Sequence, residues 1–377
     1  MPPGGPTAHK SSGAQAPLHP SEEYLGAIDE GGGDADAPAQ PRSSNHHGVD
    51  MSPQPWDEFW DKSEDVHIPE RGTTFRVYRA GDEGAVLFCL HGGGYTGLSW
   101  SLLARELKTD VQVVAYDMRG HGESRSDAPA DLSAATLVAD AVAVWQRLFP
   151  AAPGRAPPQT IVAGHSMGGA VAVKACLTGR IATLAGLLVV DVVEGTAVAS
   201  LPHMRSVLAK RPQRFESLSA AAEWGLSTGM THSRAAARVS LPSCLVREEG
   251  GSGWVWRTPL VDSEGYWEGW YVGLSGEFLQ TKCPKVLVLA GTDRLDKTLM
   301  IGQMQGKFQM VVVPDAGHAV QEDSPGRMAE VLREFIARYR IGQEAVVIPT
   351  GAAAAAARAA ASKGARVDTP SATRPPH

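Results

Sequence analysis

Six apolar runs in the middle of the chain, each stopped by glycine or a polar residue, constrain the fold more than any other feature. They span residues 85–94 (AVLFCLHGGG), 111–122, 160–169, 184–195, 285–296 and 308–318. The runs are continuous rather than alternating, which marks strands buried on both faces. Between them lie stretches of helical character, such as 133–149 and 167–178. The last, 327–340, places Met328, Val331, Leu332, Phe335 and Ile336 on one face. Buried strands alternating with helices predict an α/β fold, a mostly parallel central sheet covered by helices on both sides. Residues 196–280 break the rhythm: they have no strong strand run, look helical around 218–226, and carry five of the nine tryptophans. This stretch is expected to be a cap inserted between two core strands. Its tryptophans either pack the cap's own core or line a groove beneath it.

Composition narrows the functional classes. The chain has 377 residues, with 41 acidic and 35 basic side chains and a net charge of −6, so it lacks the basic excess of a nucleic-acid or anionic-membrane binder. Its longest apolar stretch, near residues 184–193, is interrupted by Asp191 and is too short to span a bilayer. The first residues, MPPGGPTAHK, show no apolar core of a secretory signal. Cys89, Cys176, Cys244 and Cys283 are far apart and form no zinc spacing, which suggests free thiols in the cytoplasm or nucleus. Residues 1–50 and the alanine-rich 345–377 lack hydrophobic periodicity and are expected to be disordered tails around a folded domain at 51–344.

Chemistry concentrates at Gly164-His165-Ser166-Met167-Gly168, a G-x-S-x-G motif that follows one strand and opens one helix. A serine on so sharp a turn needs a strained backbone, and only small residues fit two positions to either side. The turn lifts the hydroxyl to the carboxyl edge of the sheet, where open α/β sheets bind ligands. His91-Gly92-Gly93-Gly94 ends an earlier strand. There Gly93 can aim an N–H at an oxyanion, together with the N–H of Met167. His318, just past the last strand and before the last helix, is the expected general base, with His121 as its competitor. For the acid, the general fold favours Asp293 or Asp296 after the next-to-last strand. Asp191, ending the strand after the nucleophile helix, is an equal candidate, because a carboxylate within LLVVDVV must find a partner.

In their combination these segments resemble the protein phosphatase methylesterases, which demethylate the catalytic subunit of protein phosphatase 2A. The resemblance covers about residues 51–340 and rests on GHSMGGA, DVVEGTA (191–197), AGTDRLDK (290–297), IGQMQGKFQM (301–310) and GHAVQED (317–323). It implies an α/β-hydrolase fold with a cap, and it selects Asp191 as the acid beside Ser166 and His318. The implied reaction is hydrolysis of the methyl ester on a carboxyl-terminal leucine through an acyl-enzyme, with no metal or cofactor. The family's free enzyme is thought to hold its triad unproductively until the phosphatase docks. Animal members carry a long acidic insertion in the cap, where this chain has only REEGGSG (247–253). Two other readings keep the same residues: a carboxylesterase of small apolar esters, and a phosphatase-binding regulator with secondary catalysis. A dehalogenase would need aspartate at position 166, and no nucleotide-binding glycine motif is present.

Overall fold

The computed structural model describes residues 50–154, 156–291 and 295–343. Of the tails expected at 1–50 and 345–377, all but Asp50 lie outside the described residues, as does Asp293.

Each of the six apolar runs forms a strand. Preceded by a hairpin of β1 (Lys62–Ile68) and β2 (Thr73–Ala80), they are β3 (Val86–Leu90), β4 (Gln112–Tyr116), β5 (Thr160–His165), β6 (Leu184–Val190), β7 (Lys285–Leu289) and β8 (Gln309–Val312). Their order across the sheet is β1-β2-β4-β3-β5-β6-β7-β8, and a ninth strand of two residues, Arg125–Ser126, pairs with β2. From β4 to β8 every pairing is parallel, whereas β1, β2 and β4 pair antiparallel. The burial of β3, β5 and β7 on both faces is complete, as their unbroken apolar sequences require. The hairpin is the part the apolar runs do not announce. Val66, Ile68, Phe75 and Val77 supply its buried face, and polar residues alternate with them on the other.

Helices cover both faces: α1 (Ser101–Leu107), α2 (Ala134–Leu148), α3 (Met167–Leu177) and the terminal Pro325–Tyr339. Ser133 caps α2 by accepting from Thr136 N–H, and the terminal helix turns Met328, Val331, Leu332 and Phe335 inward, the face its spacing predicts. The segment PWDEFW that leads into the fold is anchored by Phe59 and Trp60, both buried, with Trp60 donating its indole N–H to Ser101.

Between β6 and β7 the chain builds helices α4 (Glu194–Ala209), α5 (Leu218–Ser227), α6 (Arg234–Ser243), α7 (Glu264–Tyr271) and α8 (Leu274–Gln280). It also contains a small antiparallel sheet, Arg214–Phe215, Trp254–Trp256 and Leu245–Arg247, which the sequence does not reveal because its strands are two or three residues long. The tryptophans divide. Trp224, Trp254 and Trp256 pack with Phe215 in a cluster that the cap shares with Tyr95 and Ala319 of the main fold. Trp267 and Trp270 are buried in the main core, and Trp270 donates to Leu132 O, so α7 is fastened to the sheet layer itself.

Candidate active site

The carboxyl ends of β5, β6 and β8 carry Ser166, Asp191 and His318, three of the residues that the sequence singles out. Ser166 follows β5 with φ 52° and ψ −122°, a left-handed conformation that a non-glycine residue holds only under constraint. The glycines around it explain how. A Cβ on Gly164 would collide with the Gly168 carbonyl, one on Gly168 with the carbonyls of Leu90 and His91, and one on Gly169 with the Val192 side chain. Strand, turn and helix thus approach each other more closely than any side chain permits. Ser166 N–H donates to Val190 O at 3.0 Å, and Ser166 O accepts from Gly169 N–H at 2.8 Å, locking the turn to β6 and to its own helix.

Asp191 also has a positive φ, 50°, and its side chain is buried. Its Oδ1 accepts from Ala290 N–H at 3.0 Å and its Oδ2 lies 2.7 Å from His318 Nδ1. The buried carboxylate inside an apolar strand therefore has the partners its burial demands. Asp296, one of the alternative acids, is the N-cap of helix α9 (Lys297–Met304): it accepts from Leu299 N–H and from the Ser275 hydroxyl.

His318 sits in the turn after β8 with its side chain about 40% exposed. Bonded to Asp191 through Nδ1, it has Nε2 left to face a substrate or a serine hydroxyl. Among the described residues no hydrogen bond joins it to Ser166. Ser166 instead interacts with the phenol of Tyr271, at the end of α7 in the cap. Burial pushes that phenol up to about 12, only partly offset by the serine.

Two features near Ser166 escape sequence reasoning. His165, the variable residue of the motif, donates Nε2–H to His318 O at 3.0 Å. Burial, then the neighbouring His318, push its pKa down to about 3, so it is a neutral clamp. Tyr271 carries no motif at all; only the folding of α7 onto the sheet brings it to Ser166.

The glycine loop after β3 is organised by two further histidines, His91 and His121. His91 Nδ1–H donates to Gly92 O at 2.8 Å, and its Nε2 accepts from Met118 N–H. In a trans peptide the C=O and the next N–H point in opposite directions, so this bond turns Gly93 N–H away from His91. A Cβ on Gly92 would approach the Ser166 Cβ at 3.3 Å, and one on Gly93 the Met167 sulfur at 3.7 Å, so the loop lies against the nucleophile turn. Met167 is the first residue of α3 and its N–H has no intrahelical acceptor. His121 accepts from Gly94 N–H and donates to Arg119 O; burial lowers it to about 4. It orders the loop, and it lies apart from the Asp191–His318 pair.

A cavity of about 400 Å³, lined by Gln159, Thr183, Leu184 and Tyr339, opens at the opposite end of the strands. Among the described residues no group of three or more His, Cys, Asp or Glu is placed to hold a metal ion, and no helix is long and apolar enough to cross a membrane.

Comparison with known proteins agrees with this fold. Residues 86–331 match the alpha/beta hydrolase family. The chain is 45% identical to a probable protein phosphatase methylesterase 1 of Caenorhabditis elegans, over 78% of this chain and 80% of that one. The chain belongs to the protein phosphatase methylesterase family. It is also 39% identical to the Homo sapiens protein phosphatase methylesterase 1, over 83% and 92% of the two chains, and 39% identical to that of Cryptococcus neoformans, over 85% and 87%. Among solved structures, an E-2-(acetamidomethylene)succinate hydrolase aligns with a TM-score of 0.61 at 22% identity, over 73% of this chain and 99% of that one. An esterase of M. tuberculosis aligns at 0.56 and 22%, over 73% and 92%. At that identity these two speak for the fold alone. A methylesterase-family chain of this architecture is a carboxylic ester hydrolase.

Proposed function

We propose that this methylesterase removes the methyl ester from the carboxyl-terminal leucine of the protein phosphatase 2A catalytic subunit, with Ser166 as nucleophile, His318 as general base and Asp191 as the acid that orients it. The observation that carries the reading is the 2.7 Å bond between His318 and Asp191 at the sheet edge that also presents the strained Ser166 turn. In this reading His318 takes the Ser166 proton as Oγ attacks the ester carbonyl. Gly93 N–H and Met167 N–H stabilise the oxyanion, and methanol leaves with the proton from His318. A water deprotonated by His318 then attacks the acyl-enzyme, and collapse frees Ser166 and the leucine carboxylate. Asp191 holds Nδ1–H in place and stabilises the imidazolium in both halves.

In this reading the free enzyme is a resting form, since His318 is bonded to Asp191 and, among the described residues, no hydrogen bond joins it to Ser166. Closure onto substrate restores the serine–imidazole contact, as apo hydrolase geometries often require. A protein substrate also fits the exposed apolar side chains of Met300, Ile301 and Met304 on α9, which follows the carboxyl end of β7; Met304 is 88% exposed. The four cysteines form no disulfide, in keeping with action in the cytoplasm or nucleus.

The alternative is a general carboxylesterase with the same three residues. Parallel assays of the carboxyl-methylated phosphatase subunit and of a short-chain nitrophenyl ester separate the two. The proposal predicts demethylation of the subunit and slow turnover of the small ester. Rapid turnover of the small ester with the subunit left methylated would replace it with the carboxylesterase reading.

A further inference from the structure

The segment GHAVQED contributes His318 to the reaction, but its last residue has a built environment that the reaction does not use. Asp323 ends the short helix Val320–Asp323, and its side chain is 1% exposed. Its Oδ1 accepts from the Thr231 hydroxyl and from His232 N–H, each at 2.7 Å, and its Oδ2 accepts from Gly317 N–H at 2.8 Å. Thr231 and His232 belong to the cap, between α5 and α6; Gly317 is the residue before His318. One carboxylate therefore ties the cap to the backbone of the proposed general base.

The other supports of that backbone come from elsewhere. His165 holds His318 O from the nucleophile turn, and Val313 N–H is bonded to Leu289 O in the sheet. Asp323 runs to the cap, beside Glu322, which interacts with Ser240 and Thr231, and Ala319, which packs in the cap's apolar cluster; of these only Asp323 also holds the Gly317 N–H. Thr231 transmits it further, since its oxygen accepts from Ser233 N–H and Ser233 caps α6. Hydrogen bonds to a buried carboxylate are stronger and more directional than neutral ones, so a shift of the cap at 231–232 is carried to Gly317 rather than absorbed.

We propose that Asp323 is the positioning residue through which the cap sets the orientation of His318. It touches no reacting atom; it acts by holding the peptide from which the imidazole projects. The proposal rests on the assignment of His318 as the base for Ser166.

A fluorophosphonate that labels the active serine tests it, with the maximal labelling rate and the half-saturating concentration measured separately. Asp323→Asn, Thr231→Val and the double variant are compared with the wild type. Misplacement of the base by a fraction of an ångström predicts that Asp323→Asn lowers the maximal rate about tenfold with half-saturation nearly unchanged. Thr231→Val lowers it less, and the double variant is no slower than Asp323→Asn, because both cut the same link. A purely structural role would lower the melting temperature without that rate-specific loss. If Asp323→Asn does not fold, the milder Thr231→Val carries the test alone. Folded variants that label Ser166 at the wild-type rate, or losses that simply add, would overturn the coupling. A wild type labelled at a residue other than Ser166 would overturn the base assignment and the coupling with it.

Discussion

His318 Nδ1 lies 2.7 Å from Asp191 Oδ2, joining two turns 127 residues apart in the chain. Asp191 reaches it from the end of β6, one strand earlier than the usual position for a hydrolase acid after β7. The chain after β7 uses Asp296 differently, as a helix cap.

This assignment has a direct kinetic consequence. Asp191→Asn keeps the shape of the carboxylate but offers the imidazole the wrong partner, and is expected to lower kcat by about 10⁴. Asp296→Asn and Asp293→Asn should each leave most of the activity. A larger loss at either of those positions than at Asp191, measured on folded protein, would move the acid to the loop after β7.

The glycines of the nucleophile turn make a prediction about stability rather than rate. Gly168→Ala would place a methyl group against two backbone carbonyls of the β3 end, which cannot move aside as a flexible side chain could. The expected loss is roughly 2 kcal/mol or more by chemical denaturation, at the upper end of overpacking penalties. Gly326→Ala, where a methyl group meets nothing within 4 Å, is the control and should be near neutral. Equal stability of the two variants would contradict the close packing described for the turn.

Glu322 gives the fold a pH dependence of its own. It is fully buried, and burial pushes its carboxyl from the ordinary 4.5 up to about 8. Between those values the folded chain holds a proton that the unfolded chain has released, so this residue's contribution to stability is present at low pH and is lost as pH rises toward 8. Glu322→Gln stays neutral throughout. Its melting temperature relative to wild type should therefore rise between about pH 5 and about pH 8.5. A difference independent of pH would show that Glu322 titrates like an exposed carboxylate.

The parallel core, the nucleophile turn and the His318 turn were legible because each is written in contiguous residues. Continuous β-branched runs mark strands buried on two faces, and a serine between glycines at a strand end admits few backbones. The acid was not settled by pattern, since Asp191 and Asp293 both end apolar runs and only a three-dimensional pairing distinguishes them. The family resemblance favoured Asp191. The placements of Tyr271 and Asp323 were invisible for the same reason: they come from a cap helix lying on the sheet and from a carboxylate bridging segments 92 residues apart. The cap's short strands carry too few residues for an alternating pattern to register. His165 was hidden differently, in a motif position whose side chain is formally unrestricted.

In the proposed reaction Ser166 opens a methyl ester on a phosphatase tail. The most direct test follows methyl loss from the carboxyl-methylated catalytic subunit of protein phosphatase 2A by mass spectrometry, with wild type and Ser166→Ala side by side. The account predicts release of the methyl group by the wild type, none by Ser166→Ala, and the same melting temperature and phosphatase binding for both. Demethylation by Ser166→Ala, or a methyl group left intact by folded wild type, would contradict it.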